Sequence, residues 1–308
     1  MAIGFLNLDK PAGLTSHDCV RQVRRAFNLR RVGHGGTLDP AATGVLPVAI
    51  GRATRFLQYL PAQKRYRATF QLGRESNTDD AEGEIVRITS AAGIQESDVR
   101  RALLQFSGTI AQVPPLYSAV RKQGKRLYEL ARAGVRAEEL DIQPRTVEIH
   151  RIELLTWRAG DVAELDVDIL CGAGTYIRAI ARDLGRTLGC GGLMSALRRS
   201  QSGAFTEASS IPLDTFLACE RPESFLQSVK KALADFPIVR LDDETAKRWC
   251  CGQVIARTDL NAEDLQVNLQ SGSEGVLVRT LDPVDTFLGL GRLEGDRFVP
   301  ERVLASQN

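Results

Sequence analysis

The chain has 308 residues, 43% of them hydrophobic and 25% charged, with a formal net charge of +2, a soluble-protein composition with length enough for a substantial core and two domains. No apolar run approaches the ~20 residues of a membrane helix, and Met1-Ala2-Ile3-Gly4-Phe5 lacks the basic lead and long apolar run of a secretory signal. Six cysteines (Cys19, Cys171, Cys190, Cys219, Cys250, Cys251) form no C-x-x-C and, with three histidines, offer no zinc cluster; buried free thiols in a reducing cytoplasm are expected.

Charge is unevenly spread. Residues 236–308 hold eight Lys/Arg and twelve Asp/Glu, a net of −4, which leaves +6 on the remainder. Between Cys19 and Arg74 stand eleven basic residues and one acid, Asp39. Thirty-three of the forty basic residues are Arg, which suits bidentate phosphate contacts and stacking on bases. The local basic excess points to an anionic partner.

Ile3–Leu8 reads as a strand ended by the turn Asp9-Lys10-Pro11-Ala12-Gly13. Thr15 is an N-cap, with Asp18 completing an approximate capping box. The helix it starts, Ser16–Leu29, puts Cys19, Val23, Ala26 and Phe27 on one face and Arg21, Arg24, Arg25 and Arg30 largely off it. Residues 32–47 contain four glycines and two prolines, which argues against a regular helix or a central strand; a shaped loop carrying His34 and Asp39 is expected. Ala49–Leu60 reads as a second helix. Arg65–Leu72 alternates as a strand, with Tyr66, Ala68, Phe70 and Leu72 on its apolar face. Glu84–Thr89 is a partner strand after the polar turn Asn77-Thr78-Asp79-Asp80, and a helix follows at about Glu96–Phe106.

Residues 112–145 differ. Pro114-Pro115 opens a stretch in which Arg121, Lys122, Lys125, Arg126 and Arg132 are interleaved with Tyr117 and Tyr128. That composition suits a mobile arm gripping a nucleic-acid backbone; an ordinary surface insertion is the alternative. Thr146–Thr156 and Val162–Leu170 are strands. Cys171-Gly172-Ala173-Gly174 is a turn, and Thr175 caps a helix with Ile177, Ile180, Ala181, Leu184 and Leu188 on one stripe. Arg178 lies in its first turn, where a cation opposes the helix dipole by roughly a few tenths of a kcal/mol; a carboxylate or bound phosphate offsets that cost. Gly191–Arg199 reads as a short helix, and a strand follows near Ser202–Thr206. Pro212–Asp235 is helical and connecting. From Phe236 the pattern is a short helix, Glu244–Cys251, then strands at Gln253–Arg257, Leu265–Leu269, Gly275–Arg279, Phe287–Leu293 and Arg297–Val299. Turns such as Ser271-Gly272-Ser273 separate them, as in a small β-barrel-like domain.

The chain has no G-x-x-x-x-G-K-S/T phosphate loop, no G-x-S-x-G elbow and no G-x-G-x-x-G at Gly33, Gly35 and Gly36. What remains is one carboxylate, one His, an inward Tyr and an Arg. An Asp can act as a nucleophile without a cofactor. Basic surroundings keep it ionised and attract a polyanion. A base within folded RNA must leave its stack before it can react; the His34 imidazole can fill the gap and Tyr66 can hold the extruded ring. Glycosidases usually need two carboxylates, and residues 19–74 offer one. Base modification, glycosidic cleavage and simple RNA binding stay open on these residues alone.

The stretch Gly33-His34-Gly35-Gly36-Thr37-Leu38-Asp39-Pro40-Ala41-Ala42-Thr43-Gly44-Val45-Leu46-Pro47 meets every fixed position of G-H-x-G-x-L-D-P-x-A-x-G-x-L-P. The chain therefore resembles the TruB family, the bacterial tRNA pseudouridine-55 synthases. Leu8–Ser16, Lys64-Arg65-Tyr66-Arg67, Gly174-Thr175-Tyr176-Ile177-Arg178 and Leu197-Arg198-Arg199 are similar to further family motifs, in the same order. The resemblance implies an α+β fold: a mixed, largely antiparallel-sheet catalytic domain at 1–235 with an RNA-gripping arm at about 112–145. Residues 236–308 would form a small PUA-like domain. It implies Asp39 as nucleophile, Arg178 as its ion-pair partner, and Tyr66 stacked on the flipped uracil. His34 would take the vacated place, Tyr176 and Leu197 would line the pocket, and Lys10, Pro11, Gly36 and Pro40 would support the loop. The substrate would be the tRNA T-arm, with no cofactor, no metal and no obligatory protein partner, and the enzyme would be a cytoplasmic monomer. A tRNA-folding role, a non-catalytic RNA-binding module and the same chemistry on another RNA are the alternatives.

Overall fold

The computed structural model describes residues 2–122, 124–135, 139–260 and 275–304. The chain opens with β1 (Gly4–Lys10), α1 (Ser16–Ala26), β2 (Val32–His34) and β3 (Thr43–Ile50). A 3-10 helix at Gly51–Tyr59 leads to β4 (Lys64–Leu72), then to the hairpin of β5 (Arg74–Ser76) and β6 (Ile85–Ile88). Next come α2 (Glu96–Leu103) and β7 (Gly108–Gln112). The insertion that follows carries a small hairpin, β8 (Arg121–Lys122) and β9 (Lys125–Arg126), and α3 (Leu127–Arg132). β10 (Arg145–Arg158), β11 (Ala163–Cys171), α4 (Ile177–Thr187) and β12 (Gly192–Ser202) come next. Short elements follow: β13 (Phe205–Thr206), β14 (Ile211–Pro212), α5 (Leu213–Leu217), β15 (Leu226–Gln227) and α6 (Val229–Ala232). The last part is β16 (Ile238–Arg240), α7 (Asp243–Cys250), β17 (Ile255–Ala256), β18 (Val276–Leu281), β19 (Phe287–Glu294) and β20 (Arg297–Val303). The expected strand Leu265–Leu269 and turn Ser271-Gly272-Ser273 lie outside the described residues. Among the described residues no helix is long and apolar enough to cross a membrane.

An eleven-stranded sheet runs β14-β1-β3-β12-β4-β11-β10-β7, with β2 on β3, β13 on β12 and β15 on β1. β1–β14 and β3–β12 are parallel and the other pairs antiparallel, the mixed, largely antiparallel sheet expected. β4 and β11 are paired so that Tyr66, Ala68 and Phe70 stand opposite Ile169, Val167 and Leu165. This apolar face packs against α2 and α4 through Val99, Leu103, Ile180 and Leu184. A second five-stranded sheet, β16-β18-β19-β20-β17, is the PUA-like, curled C-terminal sheet, with Trp249 of α7 stacked on Phe298. The two sheets share a core: Phe5, Phe56 and Phe205 cluster with Leu281, Phe287 and Leu290.

Several elements differ from expectation. α1 begins at the Thr15–Asp18 capping box as read, but ends at Ala26, because Asn28 adopts φ +47 and turns the chain out of the helix. Residues 43–50 form a central strand rather than part of a loop, buried from Gly44 to Ile50. Pro47 is tolerated there for a specific reason. Its carbonyl accepts from Gly35 N at 2.8 Å, so its ring nitrogen faces the same edge. On that edge β3's neighbour changes from β12, beside Thr43 and Gly44, to β2, beside Val48–Ile50. The missing donor falls in the gap. The helix expected at Ala49–Leu60 is the end of β3 followed by the 3-10 turn. The helix expected at Gly191–Arg199 is the long strand β12; register shifts at Met194/Ala196 and Arg199/Gln201 break its period-two pattern and hide it from the sequence. Cys19, Cys171 and Cys190 are buried free thiols, whereas Cys219 and Cys250 are half-buried and Cys251 is exposed.

Gly44 shows how tightly β3 and β12 meet. Its φ is +102, and a Cβ there would lie 2.3 Å from Arg199 O. Gly44→Ala is expected to cost about 3 kcal/mol, from backbone strain plus separation of the two strands. Gly13→Ala, at φ +84 in open space, should cost only about 1 kcal/mol. Urea denaturation of both variants checks this, and equal midpoints would contradict the close approach.

Candidate active site

The loop between β2 and β3 is held from two sides. Lys10, wholly buried at the end of β1, donates through Nζ to Pro11 O at 2.8 Å and Pro40 O at 3.0 Å. Gly13 N also donates to Pro40 O, at 2.9 Å. Ser16 is bonded in both directions to Leu38: its Oγ accepts from Leu38 N at 2.8 Å and donates to Leu38 O at 3.1 Å. From the opposite side comes Arg199 of β12, only 1% exposed. It donates from Nε to Val45 O at 2.7 Å, from Nη2 to Gly36 O at 3.0 Å and, more weakly, from Nη1 to Thr37 O at 3.4 Å. Backbone carbonyls, not a carboxylate, therefore hold this guanidinium.

Asp39 projects from the braced loop to Arg178. Arg178 Nε lies 3.0 Å from Asp39 Oδ2. The Arg178 side chain is 6% exposed and that of Asp39 is 39% exposed, so the carboxylate is fixed from behind and open in front. The same guanidinium lies 3.4 Å from Asp80 Oδ2 and donates to Thr78 O and Tyr117 O, each at 2.9 Å. Asp80 is itself set by its other oxygen, which accepts from Thr78 Oγ1 at 2.6 Å and Glu82 N at 3.1 Å. One turn further along α4, Arg182 pairs with Asp79 at 2.9 Å; burial raises the Asp79 carboxyl and Arg182 opposes that shift.

The start of α4 is set by an unexpected residue. Thr175 does not cap it; its hydroxyl donates to Gly172 O. Tyr176 is the N-cap and has no side-chain bond in that role. Instead buried Gln112 accepts from Tyr176 N at 2.8 Å and donates to Tyr176 O at 3.1 Å.

Tyr66 is buried with Leu38 and Ala42, and Leu197 packs against the same cluster. It stands opposite Arg199 across β4 and β12. Burial raises its phenol above the ordinary value, against the pull of Arg199. His34 is half-buried at the end of β2. Burial first, then the charge of Arg199, lower its pKa below the usual value, so the imidazole is neutral at neutral pH. Asp39, Arg178, Tyr66 and Leu197 thus converge around one loop, with Lys10, Pro11, Gly36 and Pro40 in its frame. Sequence reasoning missed Ser16, Asp80 and Gln112 and did not see Arg199 as a brace. One signal was available: the acids Asp79 and Asp80 match Arg182 and Arg178, which sit one helical turn apart. Among the described residues no group of three or more His, Cys, Asp or Glu is placed to hold a metal ion.

The fold is shared with solved structures. A chain from "Structure of H/ACA RNP bound to a substrate RNA containing 2'-deoxyuridine" is similar with a TM-score of 0.74 at 27% identity, covering 99% of this chain and 86% of that one. A chain from "Crystal Structure of a Cbf5-Nop10-Gar1 Complex" is similar with a TM-score of 0.73 at 30% identity, covering 97% and 84%. The model of the TruB family pseudouridylate synthase N-terminal domain matches residues 24–177. Those of the tRNA pseudouridylate synthase B C-terminal domain and the pseudouridine synthase II TruB C-terminal region match 178–234 and 237–304. Proteins called tRNA pseudouridine synthase B are 46% identical to it in Trichormus variabilis, over 97% of this chain and 98% of that protein, and in Gloeobacter violaceus, over 98% of both. The chain belongs to the TruB family of pseudouridylate synthases.

The burial of His34 makes a pH prediction. A His whose folded pKa lies below its unfolded value contributes stability above the unfolded pKa, near 6.5, and loses it as pH falls toward the folded pKa. By NMR the imidazole of His34, assigned through His34→Gln, should titrate below about 6.5, and the variant should show a flatter loss of stability on acidification. A His34 signal titrating above that value would contradict the geometry.

Proposed function

We propose that this chain converts uridine 55, in the T-loop of tRNA, to pseudouridine. The observation that carries the reading is the open Asp39 carboxylate held at 3.0 Å by a buried Arg178. Substrate and product are isomers: the bond from the sugar to N1 of uracil breaks, a bond to C5 forms, and the C5 proton is lost while N1 gains one. No electrons are exchanged with another molecule, so the reaction asks for a nucleophile and positioning rather than a redox partner. Asp39 is the nucleophile, forming a covalent intermediate that splits the step in two. Arg178 pairs with it and aims it. Tyr66 stacks on the flipped uracil, and Tyr176 and Leu197 line the pocket. His34, neutral and on the same loop, takes the vacated place in the stack.

The insertion between β7 and β10 is the arm that holds the T-arm; its Tyr128 has the guanidinium carbons of Arg126 and Arg132 at 5.7 and 5.6 Å from the ring, a cationic aromatic surface suited to RNA. Residues 1–235 form the catalytic unit and 236–308 its PUA-like companion. The enzyme works as a cytoplasmic monomer without protein partners, although the similar solved chains come from an RNP and a multi-protein complex. A silent binding module would have no use for an open carboxylate tied to a buried guanidinium.

The test is the purified protein alone on a T-arm hairpin and on bulk tRNA, with pseudouridine mapped by position. Asp39→Asn is expected to abolish product while the Kd for RNA changes less than about threefold. Arg178→Ala should lower turnover roughly 10²–10⁴-fold, and Asp80→Asn about tenfold through the misplaced guanidinium. Product from Asp39→Asn at the wild-type rate would remove the nucleophile assignment. Activity only with added proteins would favour a particle-borne enzyme acting on another RNA.

A further inference from the structure

We propose that Lys64 is a phosphate-binding residue whose ammonium holds a phosphodiester flanking the uridine that enters the Asp39 site. This rests on the reading of the cleft as a uridine-isomerising RNA site. Lys64 opens β4 two residues before Tyr66, between Cys171 of β11 and Ser202 of β12. It is half-buried, and among the described residues it has no ion pair and no hydrogen bond. A partly desolvated ammonium gains from an anionic partner.

The charged and titratable groups that face it supply no carboxylate. Arg199 on β12 is a cation already committed to the carbonyls of Val45 and Gly36. Cys171 on β11 is a thiol that burial pushes up to about 11, uncharged at neutral pH. Burial first, and Arg199 second, push Lys64 down to about 8.

Its place relative to the loop supplies the ligand class. Lys64 Cε and Arg199 Nη1 each lie 3.6 Å from where a Cβ on Gly36 would be, and Gly36 has φ +131, a conformation that favours glycine. The lysine tip therefore lies against the bare backbone of the loop that carries His34 and Asp39. Uracil is neutral, so the phosphodiesters are the anionic groups a flipped uridine brings to this loop. Rotating a base out of its stack leaves the backbone to be gripped, and a spare cation at the loop's edge can do that. Binding the anion raises the lysine's pKa, so the complex takes up a proton and affinity falls as pH rises above about 8.

The probes are T-arm hairpins with one uncharged methylphosphonate linkage, placed 5′ or 3′ of the target uridine, beside the unmodified hairpin. Wild type is expected to lose about tenfold in affinity for one of the two modified hairpins. Lys64→Met should lose as much with unmodified RNA and nothing further with that linkage, and its salt slope should fall by about 0.7. Lys64→Arg should restore binding and remove the weakening between about pH 7 and pH 9, which also shows that the site has folded. The idea is overturned if Lys64→Met binds unmodified RNA with wild-type affinity and slope, or if its loss adds to that of both methylphosphonates. Pseudouridine formation by wild type on the unmodified hairpin is read separately: its absence counts against the function, whereas an active wild type with an indifferent Lys64→Met counts against Lys64 alone.

Discussion

The guanidinium of Arg178 is buried, and a buried cation is tolerated only when its charge and its donors are both answered. The answers come from three distant parts of the chain: Asp39 on the β2–β3 loop, Thr78 and Asp80 on the β5–β6 turn, and Tyr117 at the root of the insertion. Packing α4 onto the sheet brings Arg178 to where all three meet, so apolar burial at Ile180 and Leu184 fixes the position of a polar group. With both Asp39 and Asp80 on one guanidinium, the pairing leaves negative charge in the cleft. Asp80 is the acid occupied by other hydrogen bonds, which leaves Asp39 as the one free to meet a substrate.

The loop must be rigid and also open, and the structure separates these demands. Rigidity comes from beneath, through Lys10, Ser16 and Arg199 bonding to main-chain atoms. None of these supports uses the Asp39 carboxylate. Burying Lys10 and Arg199 against carbonyls rather than carboxylates is a poor way to gain stability. It does give the loop one set of acceptors to present and one shape, with the cost carried by the large apolar cores on either side.

Legibility in the sequence followed the physics of each element. β4, β11 and α1 were readable because one face is apolar and the other polar. β3 was not, because Gly44 and Pro47 argue against a strand and only the change of neighbour along its edge admits them. β12 was not, because its bulges displace the alternation. Asp39, His34, Tyr66 and Arg178 stand out by motif and charge pattern, and the structure pairs Asp39 with Arg178 and buries Tyr66 with Leu38 of the same loop. Asp80 looked like an ordinary turn residue, and its role exists only once α4 has docked. β17 to β20 could be read locally, but not β16, nor the core the sheet shares with Phe5 and Phe56.

The charge count was right in direction for a reason different from the apparent one. Many of the basic residues between 19 and 74 are answered by groups far away or by the main chain. Arg65 pairs with Asp168, Arg67 with Glu207 and Arg21 with Asp18. Arg24 donates to Val32 O, and Arg52 and Arg55 reach Leu304 O and Val303 O, tying the C-terminal sheet to the catalytic one. A window along the sequence cannot see partners that arrive across a sheet, so it overstates the free positive charge. It also hides where the unanswered charge is. Lys64 has no ion pair among the described residues and stands beside the loop that carries Asp39, a local cation in addition to exposed arginines such as Arg25, Arg30 and Arg31. Residues 236–308 are net acidic, and their described contacts with the first sheet are mixed: Phe56 packs on Phe287, Arg52 and Arg55 donate to main-chain carbonyls, and Tyr59 donates to Glu301 Oε1 at 2.7 Å.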